Sequence, residues 1–274
     1  MVKVAAIQMA SGPNVSANLN EANRLIAKAA DAGAHMVVLP ENFAIMGMSE
    51  HDKVDVREQD GQGQIQYFLS KQAARHGVWI VGGTIPLVAE DDNKVRGTCL
   101  LLDDKGNRVA RYDKIHLFDV HVPESGEYYN ESETLESGNE AVVADTPFGR
   151  VGLAVCYDLR FPELFRKLVD QGAQIIVMPS AFTAITGNAH WEVLVRARAI
   201  ENLCYMVASA QGGYHVNGRE TYGNSMIVNP WGVVMDRLSH GAGFVIADLD
   251  MDYLNSTRRN FPVLEHRKMR CADL

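Results

Sequence analysis

The stretch Gly152-Leu153-Ala154-Val155-Cys156-Tyr157-Asp158-Leu159-Arg160-Phe161-Pro162-Glu163 sets the reading of the fold. It opens with the small and β-branched residues of a buried strand, then breaks into a polar cluster. Pro162 follows, and from Leu164 to Val169 the chain turns amphipathic. Proline suits the first turn of a helix, where a missing N–H costs nothing. Cys156 is therefore expected where a strand ends and a helix is about to begin, the place at which open α/β sheets bind ligands. Backbone N–H groups and a positive helix end at such a junction are expected to lower the thiol's pKa and to hold an oxyanion. A buried structural cysteine would look the same, so this stretch alone leaves nucleophile and core residue both open.

Outward from it, the two halves of the chain read as repeats. Ala32-Gly33-Ala34-His35-Met36-Val37-Val38-Leu39-Pro40 parallels Gln171-Gly172-Ala173-Gln174-Ile175-Ile176-Val177-Met178-Pro179, and Val4 to Met9 parallels Val151 to Cys156. A helix is expected over Asn14 to Ala32, with Leu19, Ala22, Leu25, Ile26 and Ala29 on one face and Gly33 as its stop. A second is expected over Gln64 to His76, closed by Gly77, and then a strand over Val78 to Ile85. Helix 191–201 and strand 204–210 would be their counterparts in the second half. Thr98 to Leu102 and Val109 to Tyr112 form a hairpin around Asp104-Lys105-Gly106-Asn107, matched later by one around Asn229-Pro230-Trp231-Gly232. Residues 120–138 read as a long polar loop. A repeat this long is no solenoid unit. It predicts an α/β fold of two half-domains related by a pseudo-twofold, each a sheet with helices on it. The sheets would pack face to face in four layers, α-β-β-α. No linker divides the halves, so residues 1–274 read as a single domain. A helix from Met251 to Arg259 and an apolar run at Phe261-Pro262-Val263-Leu264 place the tail, 251–274, at a subunit interface.

Composition bounds the function. There are 26 basic and 34 acidic residues, a net charge of −8, which argues against a nucleic-acid backbone as partner. No apolar run reaches the ~18 residues of a membrane span. Met1-Val2-Lys3-Val4 enters a strand at once and reads as no signal peptide. Cys99, Cys156, Cys204 and Cys271 contain no CxxC pair. That pattern fits a reducing, cytoplasmic setting without disulfides or a zinc site, and calls for no cofactor or metal.

Three strand ends then carry reactive side chains: Glu41, Lys114 and Cys156. Taken singly, Glu41 reads equally as a solvated helix cap, and Lys114 reads more readily as a surface lysine. The sequence at these residues resembles the nitrilase, or carbon–nitrogen hydrolase, superfamily. The motifs are Leu39-Pro40-Glu41-Asn42, Tyr112-Asp113-Lys114-Ile115-His116-Leu117, and Gly152 to Glu163. The resemblance spans essentially the whole chain and implies hydrolysis of a small-molecule amide by a homodimer or larger even assembly. It makes Cys156 the nucleophile, Glu41 the base and Lys114 the oxyanion stabiliser, with the Tyr157 N–H beside it. An accessory glutamate is placed at Glu131, with Glu127 and Glu133 close by. Asp113, often basic in relatives, is expected to point away from the site.

Within the superfamily, Pro179 to Gly187, His190 to Leu194, Arg196 to Glu201, Ala210 to Gly213 and Phe261-Pro262-Val263 resemble the deaminated glutathione amidase branch. That implies cleavage to 2-oxoglutarate and cysteinylglycine, with Arg160, Phe182 and Thr186 on the keto-acid end. A guanidinium can grip a carboxylate bidentately, though Arg160 could equally pair with Glu163 or Asp158. The ω-amidase branch, which acts on 2-oxoglutaramate, shares the acyl half. On the leaving-group side the 120–138 loop and Gly212-Gly213-Tyr214-His215 are expected at the entrance. His190 and Trp191 are expected to open a helix. Three other readings compete: a Cys–His hydrolase using His116 or His190; a nucleotide binder, for which Gly61-Gln62-Gly63 lacks the required strand; and a non-catalytic binding protein on the same fold.

Overall fold

The computed structural model describes residues 1–122 and 126–269; Cys271 and the end of the proposed interface tail lie outside the described residues. Two sheets dominate. In the first, the parallel strands Val2–Gln8, Met36–Val38 and Trp79–Val81 lie side by side. Antiparallel Val95–Leu102 and then Arg108–Asp113 continue it. In the second, Gly149–Leu153, Ile175–Ser180 and Tyr205–Ala210 are parallel, followed by antiparallel Ser225–Val228 and Val234–Leu238. The repeat seen in the sequence is thus a repeat of strand order and direction.

Each sheet carries one more antiparallel strand on the opposite edge, which the sequence reading did not place. Val142–Thr146 precedes Gly149–Leu153 and pairs with it. Gly243–Leu249 crosses back from the chain's second half to pair with Val2–Gln8 along its whole length. The two halves are therefore interlocked, because the first sheet is completed by the second half.

Strand alternation builds the layers. Val4, Ala6, Met36 and Val38 pack with second-sheet residues such as Val207 and Ile227. Their neighbours Ala5, Ile7 and Val37 face the helices instead. The first helix, Val15–Asp31, is capped by Asn14 and buries the predicted face Leu19, Ala22, Leu25, Ile26 and Ala29. Helix Gln64–His76 ends at Gly77, whose φ of 62° is the left-handed cap expected of glycine. On the far side lie Pro162–Asp170, with proline in its first turn, and Ala184–Asn202.

Four expectations need correction. The strand over Val78 to Ile85 is two strands, Trp79–Val81 and Ile85–Val88, which share one side of Val95–Leu102. The break is at Gly83, with φ of 56°, where a Cβ would stand 2.1 Å from the Pro40 carbonyl oxygen. Residues 120–138 are not a bare loop: Asp119–Val122 and Glu127–Asn130 form a hairpin, followed by a 3-10 turn at Glu131–Glu133. The helix expected over 191–201 begins at Ala184, because the Thr183 side chain caps the N–H of Thr186. His190 and Trp191 therefore sit inside it. Finally, Cys156 does not end a strand but starts a 3-10 turn, Cys156–Arg160.

Candidate active site

Three backbone junctions converge at the ends of the parallel strands. The first is the turn at Pro40-Glu41-Asn42. Asn42 has φ of 56°, and its N–H donates to Thr84 Oγ1 at 2.8 Å. From the other half, Gln211 Nε2 donates to the Glu41 carbonyl at 3.0 Å and to Ser11 Oγ at 2.7 Å. The Glu41 backbone is thus held by both halves, and its side chain is buried.

The second junction follows Arg108–Asp113. Lys114, 1% exposed, donates to Glu41 Oε1 at 2.8 Å and to Glu131 Oε2 at 2.7 Å. Glu131 Oε2 also accepts from the Phe118 N–H at 2.8 Å. Glu131 is the glutamate bonded to Lys114; Glu127 lies in the preceding strand and Glu133 further along the turn. Burial works against the Lys114 ammonium, but the Glu131 and Glu41 carboxylates outweigh it and hold its pKa well above the ordinary value. Burial likewise opposes the Glu131 carboxylate, yet Lys114 and Lys53 hold its pKa below the usual value. Asp113 turns outward to Thr98 and Arg111.

The third junction is Cys156 itself, with φ of 47°. A left-handed conformation at a non-glycine residue stores roughly 1–3 kcal/mol of strain, and here it turns the chain sharply where Cys156, though buried, lines the cavity. Burial and the nearby Glu41 carboxylate push the thiol's pKa well up; Lys114 and the Ala181 N–H pull it down without prevailing. This reverses the expectation of a depressed thiol pKa. The resting nucleophile candidate is a neutral S–H with a carboxylate beside it, not a preformed thiolate.

Cys156, Glu41 and Glu131 line one cavity with Phe118, Tyr157, Arg160, Phe182, Thr183, Thr186 and Arg219. Arg160 lies over the Phe182 ring at 5.2 Å and meets His190 Nδ1 at 3.2 Å. Asp158, a partner considered for it from sequence, is taken up elsewhere. It accepts from Tyr112 Oη at 2.6 Å, from the Val155 N–H at 2.8 Å and from the His116 N–H at 3.2 Å, and holds His116 Nδ1 at 2.7 Å. His116 also stacks on Phe161, centroids 3.7 Å apart. Neither His116 nor His190 lines the cavity with Cys156, which removes the support for a Cys–His pair.

Sequence reasoning missed Arg219, Lys53 and the anchoring role of Asp158. It also placed Gly212 to His215 at the entrance. His215 is instead buried, bonded to the Ser11 carbonyl at 2.8 Å and Thr221 Oγ1 at 2.7 Å. Among the described residues no cluster of three or more His, Cys, Asp or Glu is placed to hold a metal ion. No described helix is long and apolar enough to cross a membrane.

Comparison with known proteins agrees with this geometry. The family described as carbon-nitrogen hydrolase matches residues 3–259. A Synechocystis sp. protein named deaminated glutathione amidase is 44% identical over 266 residues, covering 96% of this chain and 97% of its own. The crystal structure of the C. elegans NitFhit protein superposes with a TM-score of 0.87 at 37% identity; it covers 97% of this chain, which spans 65% of that longer one. Saccharomyces cerevisiae Nit3, a member of branch 10 of the nitrilase superfamily, also gives 0.87, at 31% identity over 98% of this chain and 97% of its own. The α/β sandwich, the matched span and these relatives together place the chain in the carbon-nitrogen hydrolase family, as an amide-hydrolysing enzyme.

Proposed function

We propose that the enzyme hydrolyses deaminated glutathione, the amide between a 2-oxoglutaryl group and cysteinylglycine, through a thioester on Cys156. Glu41 takes the thiol proton as sulfur attacks the amide carbon. Lys114, held between two carboxylates, stabilises the oxyanion with the Tyr157 N–H. Collapse breaks the C–N bond, and Glu41 returns its proton to the departing amine. Glu41 then deprotonates a water, which attacks the thioester and releases 2-oxoglutarate and the thiol. Glu131 is the accessory group that fixes Lys114 in place.

The observation that carries the substrate reading is one part of the cavity lining. Arg160, Phe182, Thr183 and Thr186 make it up, in the same cavity as Cys156, a cation and two hydroxyls suited to a keto-acid end. The name borne by the Synechocystis relative supports it. The test is kcat/KM for 2-oxoglutarate release from deaminated glutathione and from 2-oxoglutaramate on one preparation. A higher value for the first is expected; equal values or a preference for the small amide would overturn the reading.

We also propose that two copies pair through the C-terminal segment. Trp231 and Phe261, about half exposed, form an edge-to-face pair at 5.5 Å that supports such a surface. Light scattering at micromolar concentration should give a dimer or larger even assembly.

A further inference from the structure

We propose that Arg219 reads the leaving group, binding a carboxylate carried on the amine side of the scissile bond. The inference rests on the acyl end lying at Arg160, as above. Two guanidinium groups line the cavity of Cys156, and only one of them, Arg219, also lines a groove next to it. Arg160 belongs to the wall of Phe182 and Thr186. Arg219 belongs with Phe118 and Glu131 to the rim of this groove of about 470 Å³, bordered by Met48, Glu50 and Tyr129, to which Arg160 contributes nothing. A substrate with its acyl group at Arg160 and its carbonyl at Cys156 has this groove as the route for its amine half.

Arg219 is the sole cation among the residues lining that groove. The acids beside it are committed. Glu131 serves Lys114 at 2.7 Å, Glu50 takes Lys53 at 2.7 Å, and both Glu127 and Arg219 act on the Tyr129 hydroxyl. The guanidinium carbon stands over the Tyr129 ring, 4.9 Å from its centroid. Its contacts to Glu50 at 3.4 Å and the Met46 thioether at 3.9 Å use Nη1 alone. Its Nε–H is buried and has no hydrogen-bond partner among the described residues. The guanidinium is a fork built for carboxylates, and it lines both the cavity of Cys156 and the groove, where a carboxylate arriving with the substrate meets it. The proposed substrate is anionic at both ends, and the site then offers a cation to each. An amide that releases only ammonia leaves Arg219 unused, so this residue would set the choice of leaving group that Arg160 cannot.

The test compares two leaving groups on the same 2-oxoglutaryl acyl group: cysteinylglycine and its C-terminal carboxamide. Wild type is expected to prefer the carboxylate by about 10- to 100-fold in kcat/KM, the worth of one charged hydrogen-bonding contact. Arg219→Gln should bring that ratio close to one, whatever loss the two substrates share, and Arg219→Lys should keep part of it. A wild-type ratio near one or below one overturns the proposal without any variant. So does a high ratio that survives in Arg219→Gln, since the carboxylate is then read elsewhere. If wild type cleaves neither substrate yet turns over other amides, the function reading fails, and that result is distinct from an altered ratio.

Discussion

Tyr112 Oη donates to Asp158 Oδ2 across 2.6 Å, and both residues are fully buried. Two residues after Tyr112 comes Lys114; two before Asp158 comes Cys156. The bond therefore ties together the two junctions that present ammonium and thiol. Asp158 also anchors Val155 and His116, so the turn carrying Cys156 is pinned on both sides. Tyr112→Phe keeps the packing and removes one hydrogen bond to a charged acceptor, a loss of about 1.5–3 kcal/mol. Tm should fall by several degrees. Small misplacements of reacting groups are costly, so kcat should drop about 10- to 100-fold with KM little changed. Calorimetry and steady-state kinetics on the variant check both; a stable, fully active Tyr112→Phe would show that the bond positions nothing.

The turn at Glu41 depends on a glycine from another strand. Gly83 has φ of 56°, and a Cβ there would fall 2.1 Å from the Pro40 carbonyl oxygen, directly before Glu41. Gly83→Ala must push that peptide aside as well as adopt a left-handed backbone, itself unfavourable by roughly 1–2 kcal/mol. The expected result is a folded but destabilised protein whose kcat falls further than its stability loss explains. Gly61→Ala, where nothing lies within 4 Å despite a φ of 79°, is the matched control for backbone strain alone. Equal activity in the two variants would refute the link between Gly83 and Glu41.

Glu41→Gln separates the acid–base role of this residue from its charge. The carboxylate is one of the forces that keep the Cys156 thiol protonated. Removing its charge leaves Lys114 to pull the thiol's pKa down, so Cys156 should ionise at lower pH than in wild type. Hydrolysis should nevertheless fall by about 10²- to 10⁴-fold, the usual contribution of a positioned base. The rate of iodoacetamide labelling against pH reports the ionisation. A midpoint unchanged or raised in the variant would mean that Glu41 does not act on the thiol.

The parallel strands and their repeat were legible because strands buried on both faces read as short apolar runs, as Met36–Val38 and Ile175–Ser180 do. The edge strand Gly243–Leu249 was not, because its pairing with Val2–Gln8 closes a contact across nearly the whole chain. At the site, Glu41, Lys114 and Cys156 stand in local motifs, each just after a strand, apolar for Glu41 and Cys156 and one arm of a hairpin for Lys114. Arg219 stands near a hairpin tip, beside Gly218, with no periodicity or motif around it. Only the folded chain brings it to Cys156. The thiol's protonation was misread for the same reason: the strand-to-helix pattern shows the N–H groups that favour a thiolate, but not the depth of burial or the carboxylate that opposes one.

Buried thiols should also shape stability at high pH. Burial pushes the Cys204 thiol up to about 12, and Cys99 and Cys156 are raised as well, Cys99 by burial alone. In the unfolded chain a thiol titrates near 8.5. Below that pH both states hold the proton, and the full contribution is present. Between that pH and about 12, the unfolded state has lost the Cys204 proton while the folded state keeps it. The unfolded state then binds fewer protons, so unfolding free energy falls as pH rises, by up to about 1.4 kcal/mol per pH unit for each such thiol. Lysines and tyrosines titrate over the same range, so the wild-type slope alone identifies nothing. Cys204→Ala isolates the one group, since Cys204 donates only a weak contact to the Arg198 carbonyl at 3.8 Å. The variant should be less stable near neutrality because a core side chain is cut back. Its stability should then decline less steeply than wild type's from pH 9 to 11. Urea unfolding at half-unit pH steps gives both curves; parallel declines would mean that Cys204 loses its proton as readily in the folded protein as in the unfolded chain.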